Sequence, residues 1–70
     1  MTDAEVQPWV GKWIRATLAD GRVLAGKLEQ HGSHYTVMTP APDKRESDTT
    51  EKVPSAAQIA TIENAPEFGR

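Results

Sequence analysis

The chain contains no cysteine, which excludes a disulfide scaffold and any thiolate metal site. Aromatic residues are few, two Trp, one Tyr and one Phe, too few to line a groove for proline-rich peptides. No apolar run exceeds three residues, as in Val23-Leu24-Ala25, so no segment can span a bilayer as a helix. The opening Met1-Thr2-Asp3-Ala4-Glu5 is acidic and has no apolar core of a secretory leader. A soluble, cytoplasmic protein without a membrane partner is the expectation. A basic excess is also missing. Eight Lys plus Arg stand against ten Asp plus Glu, for a net charge of −2, whereas duplex-binding domains are usually basic.

Seventy residues, 37% of them hydrophobic, make at most one small domain with a thin core. A chain of this size buries only about 60% of its unfolded surface. Without disulfides or metals, oligomerisation is the usual supplement. Catalysis finds no support. There is no nucleophile–base signature, no phosphate-cradling glycine loop and no metal spacing. Ser33 beside His34 is adjacency only, and His31 with His34 lacks a third ligand. The expectation is a non-enzyme with no cofactor.

Thr2-Asp3-Ala4-Glu5-Val6-Gln7 opens with a capping residue and an early acid and reads as a helix start, giving one short turn over Ala4 to Trp9 that Gly11 ends. Lys12 to Leu18 alternates, with Ile14, Ala16 and Leu18 on one face, and reads as a strand. Asp20-Gly21 is a hairpin signal. Val23 to Gln30 is the return strand, and Gly26 within it marks a bend or a close backbone approach. His31-Gly32-Ser33 turns into a third strand, His34 to Thr39. Pro40 to Lys52 is polar and aperiodic and reads as a variable loop, in which Lys44-Arg45 is a solvated tip among acids. Lys52-Val53 is a brief fourth strand, Pro54 to Ala57 a tight helical turn, and Gln58 to Glu63 a fifth strand. The domain is residues 1–63, and 64–70 form a flexible C-terminal tail. Short strands plus one helix describe a mainly β fold: a small, strongly bent, five-stranded antiparallel barrel of the SH3-like kind. Trp9 and Trp13 have two readings: Trp9 packs the helix on the barrel and Trp13 covers an open barrel end, or the two form an exposed aromatic patch for a partner or neighbouring subunit.

The stretch from Ile14 to Leu28 resembles the first motif of the Sm-like (LSm/Hfq-type) family. That motif runs apolar-x-apolar-x-Leu-x-Asp-Gly-Arg-x-apolar-x-Gly-x-Leu, and every slot is filled here. The stretch Val53 to Ile62 is similar to the second motif, which ends Ile-x-x-Ile, and the family's variable loop falls at Pro40 to Lys52. The resemblance covers residues 4 to 63. It implies an Sm-like barrel and a homo-oligomeric hexamer or heptamer ring, in which the fourth strand of one subunit pairs with the fifth of the next. It also implies single-stranded RNA as a partner. The family's Asp, stacker and Asn slots fall on Ser33, Tyr35 and Thr36, with His34 beside them, and its Arg-Gly pair falls on Ser55 and Ala56. The candidate RNA-binding set is therefore His34, Tyr35, Thr36 and Ser55. The missing arginine weakens phosphate contact. Two functions stay open: a ring that binds RNA weakly or with altered specificity, and an Sm-like barrel that serves as a protein-interaction or structural subunit without nucleic acid.

Overall fold

A computed structural model describes residues 1–43 and 45–68, leaving aside the side chain of Phe68. Lys44, half of the expected basic loop tip, and residues 69 and 70 lie outside the described residues. The element order is helix α1 (Asp3–Val6), a 3-10 turn Gln7–Trp9, strands β1 (Trp13–Leu18), β2 (Val23–His31), β3 (His34–Thr39) and β4 (Thr49–Val53), a 3-10 turn Ala56–Gln58, strand β5 (Ile59–Asn64) and a last 3-10 turn Pro66–Phe68.

Helix α1 begins with a capping box. The Glu5 N–H donates to Thr2 Oγ1 at 3.2 Å, and the Thr2 N–H donates to Glu5 Oε1 at 2.9 Å. Two orphan donors are satisfied reciprocally. The Thr2 N–H, and after it the Thr2 hydroxyl that donates to the same oxygen at 3.2 Å, hold the Glu5 carboxyl below its usual range. Pro8 sits in the following 3-10 turn, where a missing N–H is tolerated.

The period-two reading of β1 holds. Ile14, Ala16 and Leu18 are buried while Trp13, Arg15 and Thr17 are half-exposed. β1 pairs with β2 from Trp13↔Lys27 to Thr17↔Val23. The connection is longer than two residues: Ala19 to Arg22 lie between the strand ends, and the Leu18 N–H closes them by donating to the Arg22 carbonyl at 2.8 Å. Gly26 has the role expected of it. A Cβ built there would lie 2.1 Å from the Met38 carbonyl oxygen on β3, so no side chain fits.

The five strands form one antiparallel sheet in the order β4-β3-β2-β1-β5. The expected barrel is not closed. Four successive antiparallel ladders give β4 and β5 the same sense. Two strands of one sense cannot form an antiparallel ladder with each other, so the sheet ends in two edges. The core lies on one face, where Ile14, Leu28, Tyr35, Val37, Val53 and Ile59 are almost fully buried. Val6 of α1 closes one side of it and Ala56 of the second 3-10 turn another. Trp9 and Val10, both partly buried, pack against this cluster, which for Trp9 favours the packing reading over the exposed patch.

β4 begins at Thr49, inside the segment expected to be loop. Residues 64–68 are structured and not a free tail. Asn64 ends β5, Ala65 is fully buried, and Glu67 pairs with Arg15 of β1. No helix among the described residues is long and apolar enough to cross a membrane.

Candidate functional site

The β2–β3 hairpin places most of the candidate residues. Gly32 adopts φ 65 in the two-residue turn, a conformation glycine reaches without strain. That turn fixes the register His31↔His34, Gln30↔Tyr35 and Glu29↔Thr36. Directly opposed residues share a face, and successive residues alternate faces. His34 and Thr36 therefore stand on the outer face, half-buried, and Tyr35 points to the core.

Tyr35 is fully buried. Its hydroxyl donates to Asp3 Oδ1 at 2.6 Å. The bond to Asp3 and burial push the phenol above its usual pKa. In this arrangement the ring offers no exposed face to a nucleobase and anchors α1 to the sheet. His34 does present a ring. The imidazoles of His31 and His34 stack with centroids 5.6 Å apart and 26° between planes. His31 Nε2 lies 3.0 Å from Thr36 Oγ1 and 3.9 Å from Glu29 Oε2.

Ser55 is half-buried, two residues past Val53, the register partner of Tyr35. Its side chain makes no cap to the 3-10 turn that follows. The alternation of β3 places His34 and Thr36 together on the outer face and Tyr35 on the other, whereas Ser55 lies past the end of β4, outside the ladder. The β3–β4 register adds Lys52, exposed and opposite Thr36, a cation absent from the candidate set. Lys52 was read as part of a brief fourth strand, but its place opposite Thr36 follows only from the β3–β4 register, which the sequence does not record. Asp3 was missed as well, because its partner Tyr35 is remote in sequence.

Charge elsewhere is largely internal. Arg15 pairs with Glu63 at 3.6 Å and with Glu67, and Arg22 Nε donates to Asp20 Oδ2 at 3.0 Å. Among the described residues no group of three or more His, Cys, Asp or Glu could hold a metal ion. A cavity of about 280 Å³ is lined by Leu18, Ala19, Asp20, Arg22 and Gln58, and an open groove runs along Lys12, Trp13, Asn64 and Pro66. Neither is lined by a candidate residue. No protein-family model, curated protein or solved structure matches the chain.

The two sheet edges are the other functional feature. The Leu28 N–H donates to the Lys12 carbonyl and the Leu18 N–H to the Arg22 carbonyl, so the even residues of β2 face β1. Passing that alternation through the β2–β3 and β3–β4 registers turns the backbone of Glu51 and Val53 toward β3. The backbone N–H and C=O of Thr50 and Lys52 therefore face the free edge. An edge of this kind is a template for another strand.

Proposed function

We propose that the chain is an Sm-like assembly subunit. Copies join edge to edge, β4 of one against β5 of the next, into a hexameric or heptameric ring that serves as a protein-interaction or structural scaffold. The observation that carries this reading is the open sheet with two edges of the same sense. Such a sheet cannot satisfy its edges by closing on itself antiparallel. A second copy can present a strand in the opposite sense. Joining unlike edges is a heterologous contact, and it yields a ring when the rotation between copies closes. The filled Ile14–Leu28 motif supports the family.

Light scattering at micromolar concentration tests it. A mass of six or seven subunits (the number the family implies) is expected, and a monomer overturns the reading.

A second reading is single-stranded RNA bound weakly at the β2–β3 corner. It is favoured by the stacked, half-exposed pair His31 and His34 and by Lys52 opposite Thr36. It is disfavoured by buried Tyr35, ion-paired arginines and the net charge of −2. Fluorescence anisotropy with oligo-U and oligo-A at low salt decides it. Binding that His34→Ala and Lys52→Ala weaken makes RNA the ligand, and no binding at low salt leaves the scaffold.

A further inference from the structure

The β1–β2 turn holds the two halves of a self-reaction. Asp20 carries a carboxyl carbon, and the next residue, Gly21, supplies a backbone nitrogen with no side chain to hinder a five-membered ring. Both residues are exposed. Each reactive group has its own tether. The Gly21 N–H donates to the Leu18 carbonyl at 2.9 Å, which engages the nucleophile within the turn. Asp20 Oδ1 accepts from the Arg22 backbone N–H at 3.0 Å, and Oδ2 accepts from Arg22 Nε at 3.0 Å. These bonds, the backbone one foremost, hold the carboxyl below its usual range and so thin the small protonated fraction that can react. A carboxylate is a poor acyl acceptor, because oxide would have to leave from it.

We propose that Asp20-Gly21 is a site of isoaspartate formation, held back by Arg22 and the turn hydrogen bonds while the hairpin is folded. The Gly21 nitrogen bonds to Cγ of protonated Asp20, its proton passes to solvent, and one water leaves with a carboxyl oxygen. The product is a succinimide. Water then adds to the main-chain carbonyl carbon of Asp20 and breaks that carbon's bond to nitrogen. The chain now runs through Cγ, with the α-carboxylate as the side group. One water is lost and one regained, and no oxidant is involved. The chain gains a methylene in its main path. The Leu18–Arg22 closure sits beside the first ladder pair Thr17↔Val23, so the longer path disrupts the start of the hairpin.

The full chain is incubated at physiological temperature and neutral pH, and Asp20 is followed by peptide mapping with a protease that cleaves before Asp but not before isoaspartate. The product keeps the parent mass, which separates it from deamidation at Asn64. Slow conversion is expected in the folded wild type, severalfold faster conversion in folded Arg22→Ala, and an intermediate rate in Arg22→Lys, which keeps the backbone donor and loses the guanidinium. In denaturing urea all three should convert fast and alike, a readout that needs no folded variant. Equal rates for the folded wild type and both variants overturn the role of Arg22. Absence of isoaspartate at Asp20 in the unfolded chain overturns the site itself.

Discussion

Tyr35 links sheet to helix through one bond, and that bond sets an alkaline limit on stability. The phenol's ordinary pKa of 10.0 is raised in the folded chain, first by the hydrogen bond it donates to the Asp3 carboxylate and then by burial. The folded state therefore holds this proton more tightly than the unfolded one. The contribution is complete below pH 10.0 and is lost as pH rises through the higher folded value. Tyr35→Phe should lose about 1.5 kcal/mol at neutral pH, the low end for a bond to a charged group. Urea titrations from pH 8 to beyond the phenol's ordinary 10.0 check it: the gap between wild type and variant should hold below 10.0 and narrow as pH climbs above it. Tyr35 is the only tyrosine, so the difference curve isolates it. Gly26 gives a harsher test. Gly26→Ala places a methyl against the Met38 carbonyl on β3, and backbone cannot give way as a flexible side chain can. A loss above about 3 kcal/mol, or failure to fold by circular dichroism, is expected. Gly32→Ala meets nothing within 4 Å, and only its φ of 65 opposes it. It should lose about 1 kcal/mol. The role of Gly26 was legible, because a glycine inside an alternating strand weakens it unless a bend or a close backbone approach requires it. Tyr35 was legible only in part. It shares parity with Val37, which places it on the core face, whereas its partner Asp3 is fixed by packing that no local pattern records.

The edge strands explain what the sequence hides at the next scale. β1 and β2 show themselves through buried alternation, and β4 does not. Thr49, Thr50, Glu51 and Lys52 are all exposed, and only Val53 reaches the core. An edge strand with one buried residue has no period to detect, and its β-branched threonines are equally at home in a loop. The open sheet was hidden for another reason. It follows from strand order and parity, which are properties of the set and not of any strand. Thr50 tests the edge. Its N–H faces away from β3, so proline there removes no ladder donor within the chain and blocks a strand added from outside. Thr50→Pro should keep the far-ultraviolet circular dichroism of the wild type and scatter light as a monomer. An unchanged assembly mass would show that the β4 edge is not the contact.

For the whole molecule, charge and size give assembly two signatures. Each copy carries a net charge of −2. Joining copies brings like net charges together, so screening by salt should strengthen assembly. RNA binding has the opposite sign, because neutralised phosphates release counterions and affinity falls with salt. A mass that holds or grows as salt rises, while any oligo-U anisotropy falls, separates the two. Size gives the second signature. The core of these 70 residues rests on one sheet face capped by α1 and Ala56. If edge pairing supplies the missing burial, folding and association are linked, and stability depends on concentration. Each tenfold rise in subunit concentration is worth about 1.4 kcal/mol per copy joined. The wild-type melting temperature should therefore climb across a dilution series, and the Thr50→Pro curve should stay flat and meet the wild type at the dilute end. A flat wild-type series would mean that the single-copy core suffices, and the two edges would then be tolerated through their exposed charges Glu51, Lys52 and Glu63 and not through pairing.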